Sequence, residues 1–556
     1  VAVGSNALES QNTATAANIY NTAVGYGAGA AVTTGTLNTL VGGLAGDALT
    51  DGEANVAIGY GALGTEDQAD ANVAVGVNAL ATQNAGTSEA YNTAVGHNAG
   101  RQVTTGTTNT LIGGLTGDAL TEGPGNTMIG YGAGGAETTG GNNVMVGQAG
   151  QAQLTVNDTV AVGDGALQTN TKSSKNTAIG RSALRALNHT TATDALNTAV
   201  GYYAGLSVTT GVRNTLIGGQ AGDALTDADY NVAVGVAALT GDTLGSQSTA
   251  LGYGALSTQN FTTATNSRNT AVGYLAGEFV TTATDVTLIG ALAGDAITTG
   301  TDNVAVGSSA MTNNTASQRN IAIGSDSLFT LNHTTAENGY NIGIGHSAGQ
   351  NITTGQLNTI VGSLTADSLT DADNNVAIGY AALTSDTLGS RSTAIGVNAL
   401  TFQNFTTATN TYNTAVGYDA GQRLTTGVDN TLIGGLSGDA ITDADFNVAV
   451  GNSSLSANTV GSRNTAIGSS ALLVMNPSTA ADTVNTAVGY HAGRLVSTGT
   501  NNTVVGGEAG DSITDGDSNC FFGKDAGDST TSGNQNICIG QNANNSAATG
   551  SNAIVI

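Results

Sequence analysis

The residues with the most obvious capacity for chemistry are pairs of alternating aspartates. Asp227 and Asp229, Asp371 and Asp373, Asp443 and Asp445, and Asp515 and Asp517 recur in one kind of segment, each beside threonine. Oxygen ligands at such spacing could hold Ca²⁺. The competing use is an Asx-turn, in which each carboxylate accepts from nearby backbone. Two facts favour the turn. The equivalent positions in one repeat are Thr299 and Thr301, and the Gly-Gly-x-Gly-x-Asp pattern of calcium-binding rolls is missing. The expectation is therefore no cofactor, with Ca²⁺ as the alternative.

The five histidines, His97, His189, His333, His346 and His491, share no metal-ligand spacing with one another or with the two cysteines, Cys520 and Cys538. His97 and His346 take the place that Tyr202, Tyr274, Tyr418 and Tyr490 hold elsewhere, which makes them members of a surface aromatic row. The cysteines fall on opposite faces of neighbouring strands and read as small hydrophobes. No Gly-rich stretch ends in the Lys-Ser/Thr of a phosphate loop. No acid–base constellation emerges, so the expectation is a protein that is not an enzyme.

Binding candidates lie in longer segments, among them those that begin at Asn84, Asn188, Asn260, Asn332 and Asn404, which carry aromatics and amides: Tyr91, His189, Phe261, His333, Phe405 and Tyr412. Insertions on one edge of a repeat body often form its binding face. The same segments could instead serve as packing between subunits.

These residues are positioned by a repeat. Asn269-Thr270-Ala271-Val272-Gly273 recurs nearly unchanged at 21–25, 197–201, 413–417 and 485–489. Taking its glycine as zero, the steps from Gly201 are 17, 17, 17 and 21 residues, and then the same again, giving a 72-residue unit. About 31 such glycines run from Gly4 to Gly540. One β-type pentapeptide per short period predicts coils of an all-β parallel β-solenoid, most of 17 residues with every fourth of 21. A second, weaker strand is expected near the alanine three residues after zero. The whole chain, 1–556, reads as a single elongated solenoid and as a segment of a longer fibre protein.

Composition agrees. Gly is 81 of 556 residues without a Gly-X-Y period, Trp is absent and aromatics are 4%, so the core must be thin and built from small side chains. A net charge of −27 with only 13 Lys and Arg disfavours nucleic acid and anionic membrane surfaces. No apolar stretch is long enough to insert in a membrane as a helix.

Strand alternation puts positions −3 and −1 on one face and −2 on the other. Position −1 is almost always Val or Ile and reads as the filler of the coil. Position −2 is Ala or Leu, so its face is apolar too and needs cover. Identical neighbouring chains would supply it, with Leu216, Leu288 and Leu432 buried between subunits.

The string Asn-x-[Ala/Val]-[Val/Ile]-Gly followed by x-x-[Ala/Ser] resembles the head repeats of YadA-type trimeric autotransporter adhesins, and also repeats in phage tail-fibre proteins. The resemblance covers essentially the whole chain, although the coils are longer than the usual YadA-type head coil. It implies a left-handed β-roll in a homotrimer, located outside the cell on a virion fibre or a bacterial surface. It further implies a structural and adhesive role, with a cell-surface glycan or protein as receptor. The alternatives are a self-assembling surface filament without a receptor and, below it, an ice-binding solenoid.

Overall fold

The computed structural model describes residues 1–12, 18–87 and 89–556. It divides into two compact units, Val1–Thr282 and Ala283–Ile556. Each is a parallel β-solenoid, and among the described residues there is no helix. Each unit contributes sixteen strands of two or three residues, one per turn, so the chain makes about 32 turns. Counting glycines gives one fewer, because the last strand, Ile554–Val555, is followed by no glycine in this sequence.

Register follows the repeat. Thr215, Leu216 and Ile217 pair with Val232, Ala233 and Val234, and in the second unit Thr431, Leu432 and Ile433 pair with Val448, Ala449 and Val450. Like positions stack, so each column along a unit is one repeat position.

The column assignment reverses the expected inside and outside. Position −2 fills the coil: Ala23, Leu40, Leu216, Leu288 and Leu432 are all fully buried within the single chain. Position −1 faces outward, with Ile58, Ile217, Ile289 and Ile433 each 38% exposed. Leu216, Leu288 and Leu432 therefore belong to the coil's own core and offer nothing to a neighbouring subunit. The coil is too narrow for a β-branched residue at every turn, so its lumen takes mostly alanine. The branched side chains stay outside, where they suit a pleated surface.

Leucine enters the lumen only where glycine makes room. A Cβ on Gly222 would stand 2.8 Å from Leu216 Cδ2, and one on Gly438 2.8 Å from Leu432 Cδ2. Many coils with alanine at −2 carry leucine at the glycine's position, as Leu239 and Leu383 do, and where alanine and glycine share a coil, as Ala199 and Gly205 do, leucines of the adjacent coils, Leu216 and Leu184, fill the space. This large–small exchange keeps the thin core filled.

The expected second strand near the +3 alanine is a turn. That alanine is buried, but its neighbours are in the left-handed region, for example Asn398 at φ 57° and Leu400 at φ 50° around Ala399. The short second strands lie further on. Gly245–Ser246 pairs with Thr265–Asn266, and Gly389–Ser390 with Thr409–Asn410. The residue five before the zero glycine is also left-handed, as at Arg213 (φ 58°), Tyr230 (φ 60°) and Arg391 (φ 66°).

The zero glycine is obligatory on two counts. Gly396 has φ +136°, and a Cβ there would lie 2.3 Å from the carbonyl oxygen of Gly417. Behind it the pentapeptide asparagine forms an internal ladder. Asn214 N–H donates to Asn197 Oδ1 at 2.9 Å, Asn214 Nδ2 donates to Ala228 O at 2.8 Å, and Asn214 Oδ1 accepts from Asn231 N at 2.9 Å. A buried amide in a solenoid must be fully bonded, and this one ties three consecutive coils together.

Candidate functional site

The long coils close by one device. Their extra residues run back along the preceding coil as the short second strands, and the starting asparagine joins a hydroxyl column. Thr209 Oγ1 donates to Thr226 O, Thr226 Oγ1 to Thr243 O, and Thr243 Oγ1 to Asn260 Oδ1, at 3.2, 3.1 and 3.0 Å. Asn188, Asn332 and Asn404 accept likewise from Thr171, Thr315 and Thr387 at 2.7, 2.7 and 3.2 Å.

Four of the expected loop aromatics turn inward. Phe261 and Phe405 are 6% and 7% exposed, and His189 and His333 are 9% and 2% exposed. The alternation along the loop takes the residue after the starting asparagine under the coil, where it caps the lumen. Tyr91 and Tyr412 do face solvent, about half exposed. Tyr412 stacks beneath the Arg391 guanidinium, 5.6 Å from the ring centre, and its hydroxyl accepts from Arg391 Nη1 at 2.7 Å. Arg213 over Tyr230 in the first unit, and Arg463 over Phe446 in the second, repeat the arrangement. The residue-plus-one row is exposed as expected, including His97, Tyr202, His346 and Tyr418.

The aspartate pairs act as hydrogen-bond acceptors between coils. Asp229 Oδ1 accepts from Val212 N at 2.7 Å, Asp373 from Gln356 N at 2.7 Å and Asp445 from Val428 N at 2.8 Å. Asp227 and Asp371 accept from the hydroxyls of Thr210 and Thr354, and Asp443 from that of Thr442. Each pair thus caps backbone and threonine one coil earlier, or its own neighbour. Among the described residues no three His, Cys, Asp or Glu side chains converge as ligands would. The cysteines lie in adjacent strands at −3 and −2; Cys538 is buried and Cys520 half-buried.

The threonine column also alters the ice-binding comparison. Threonine at position +8 stands in most coils and is not confined to the Thr-Thr-Gly pairs. Its hydroxyls are spent on the next coil's carbonyl, so they are not presented as a free array.

Sequence reasoning missed a set of buried polar groups at +7. Asn170, Asp242, Asn314, Asp386 and Asn458 follow one another at 72 residues, all fully buried. One coil later stand Leu187, Gln259, Leu331, Gln403 and Met475. Aspartate always comes with glutamine, and asparagine with an aliphatic side chain. Asp386 Oδ1 accepts from Gly389 N and Phe405 N at 3.1 and 3.0 Å, and its Oδ2 accepts from Gln403 Nε2 at 2.6 Å. Asp242 repeats this with Gly245, Phe261 and Gln259. Burial pushes the Asp242 carboxyl above its ordinary value, while the Gln259 amide and the loop N–H groups pull it back. Glu66 and Glu137, buried in earlier coils, are likewise raised by burial. The signal was in the sequence as an interval of 72 with a matched partner 17 residues on.

In the second unit the foot of the long coil at Asn404 opens into a groove of about 770 Å³, lined by Ser385, Phe402, Asn404, Arg423 and Thr425. Of these, Asn404 was expected as a binding residue; Phe402 and Arg423 were not.

No protein-family model matches the chain, and no curated protein matches it either.

Proposed function

We propose that the chain is a structural and adhesive segment of an extracellular fibre on a virion or bacterial surface, that it assembles as a homotrimer, and that it has no catalytic role. The observation that carries the assembly is the outer face of the main sheet. At −1 every turn presents an aliphatic residue or, at Phe522, an aromatic one, and at −3 a threonine, an aliphatic residue or Cys520. No charge interrupts either column, in a chain of net charge −27. At on the order of 60 Å² of exposed aliphatic surface per turn, sixteen turns offer about 1,000 Å² per unit, against roughly 800 Å² per partner in a standard interface. A second copy suits this strip because it repeats the same spacing and brings no charge to it. The interface thus falls on Ile217, Ile289 and Ile433 in place of the leucines beside them.

The glycine-tight, hydrogen-bonded coils suit a load-bearing shaft, and the regularly spaced long coils are places to display recognition groups. The filament without a receptor is the same assembly stripped of that second role. Ice binding draws on the threonine column but would need its hydroxyls free.

The test is sedimentation equilibrium of the chain and of the variant I217D/I289D/I433D. The expected result is three times the 54.4 kDa chain mass for the wild type and one chain for the variant, with β-type circular dichroism in both. A single-chain mass for folded wild type overturns the assembly.

A further inference from the structure

We propose that the groove between Phe402 and Arg423 binds a carboxylate-bearing sugar within an acidic saccharide. The proposal rests on the adhesive reading above and names the ligand class for one place on the surface.

The repeat itself supplies the reference. Residues that the fold requires recur at their column position, so a position that varies from coil to coil is free to serve something else. Phe402 and Arg423 occupy the sixth position after their glycines. One 72-residue unit earlier these positions are Thr330 and Asn351, and the next two coils carry Ala440 and Ala457. Phe402 is 51% exposed, so the core gains little from it. Arg423 is exposed. The other arginines of this unit have partners: Arg319, Arg463 and Arg494 face carboxylates at 3.4, 2.9 and 3.3 Å, and Arg391 covers Tyr412. Among the described residues of the unit, Arg423 alone has neither a carboxylate nor a ring. An uncompensated cation beside an exposed ring, in so acidic a chain, is a local inversion of charge.

The chemistry of the five lining residues converges on one ligand type. An aromatic face takes the C–H face of a sugar ring, and a guanidinium grips a carboxylate in a two-pronged manner. Asn404 and Ser385 can donate to and accept from ring hydroxyls. Thr425 Oγ1 donates to Thr442 O at 3.0 Å, which leaves its lone pairs for a ligand donor. The volume lies within the range of small-molecule sites and exceeds one sugar ring. An acidic peptide would satisfy Arg423 but would leave the ring and the hydroxyl row without matched partners.

The test measures binding of the full chain to a hyaluronan oligosaccharide and to sialyllactose, with a neutral cello-oligosaccharide and an oligoglutamate peptide as comparisons. Carboxylated sugar should bind about tenfold or more tighter than the neutral one, and R423Q should erase that preference. F402A should weaken both sugars. N351A, at the matching position one 72-residue unit earlier, should change nothing. The two carboxylated probes separate a uronic from a sialic acid. Failure of both to bind, equal binding of oligoglutamate, or indifference to R423Q and F402A overturns the proposal. The mass of the wild type separates the two readings: wild type that binds sugar as a single chain defeats the trimer and keeps the groove, and a wild-type trimer that ignores these sugars defeats the groove alone.

Discussion

Two long coils of the first unit do the same geometric job with different chemistry. At Asn170 the amide closes a local turn, donating to Ser173 O at 2.8 Å and accepting from Ser173 N at 2.9 Å. Leu187 then fills the lumen, and His189 holds the loop from above, with Nδ1 2.6 Å from Ser173 Oγ and Nε2 donating to Thr210 O at 2.9 Å. At Asp242 the carboxylate itself reaches the loop, accepting from Phe261 N at 3.1 Å and from Gln259 Nε2 at 2.6 Å. Gln259 Oε1 in turn accepts from Asn269 at 2.8 Å. The second unit holds both kinds, the asparagine at Asn314 and Asn458 and the aspartate at Asp386. The difference teaches that these loops are fixed by what lies beneath them. One kind is anchored by an aliphatic plug and a histidine, the other by a buried carboxylate that accepts from three buried donors.

The largest effect should ignore the distinction. G324A in the asparagine kind and G396A in the aspartate kind both force an alanine to φ above +130° and place its Cβ 2.4 and 2.3 Å from the next coil's carbonyl. Each should cost about 3 kcal/mol or more, since backbone faces backbone and neither can yield. Urea unfolding followed by circular dichroism should give similar losses for the two. A loss at only one would show that the coils differ in more than their plugs.

Next, D386A should separate the kinds. It strips the acceptor from three buried donors, Gly389 N, Phe405 N and Gln403 Nε2, at about 1–3 kcal/mol apiece before relaxation. Because solenoid coils open locally, hydrogen exchange over 404–411 should accelerate more than a hundredfold while the coil at Asn332 stays protected. Uniform acceleration of both would mean that the anion supports the whole unit and not its loop.

A smaller, sharper test exchanges the kinds. D386N alone leaves Gln403 Nε2 facing an amide that must flip to serve it, and Q403L alone leaves Asp386 short of a donor. D386N/Q403L recreates the pairing found at Asn314 and Leu331. The double variant should recover about 1–2 kcal/mol relative to the summed single losses in a double-mutant cycle. Additive losses would detach the pairing from the alternation seen in the sequence.

How much of this was legible follows from which physics writes period into sequence. The coils were legible because the zero glycine, the asparagine ladder and the lumen alanine are each dictated once per turn. Inside and outside were not. Both strand faces are apolar, and alternation alone separates −2 from −1 without saying which is enclosed. The deciding fact is the width of the lumen, which admits Leu216 only because Gly222 yields. The site suffered differently. His189 and Phe261 look like display residues, yet their position after the starting asparagine turns them under the coil. Phe402 and Arg423 passed unnoticed because the sixth position varies from coil to coil, Phe279 and Leu495 standing there too, so no period marks them. The partnership of Asp242 with Gln259 was readable, but only at an interval that spans coils.

The smallest effect concerns pH and falls on the coil of Asp242. Burial holds the Asp242 carboxyl above its ordinary value of 3.8, so the folded coil binds its proton more tightly than the unfolded chain does. Linkage then fixes the sign. The stabilising contribution is fully present below the ordinary carboxylate value and is lost as pH rises through the raised folded value. Protection of 258–268 against exchange, corrected for the intrinsic chemistry, should therefore fall as pH rises above the ordinary carboxylate value. The segment 186–196, whose coil carries Asn170 and Leu187 in those places, should lack this carboxylate-linked slope. D242N should remove the slope from the first segment, since an amide has no proton to lose. A slope that survives D242N would assign it to the general repulsion of a chain with net charge −27, which both coils share, and the two kinds would then differ in their anchors but not in their response to acid.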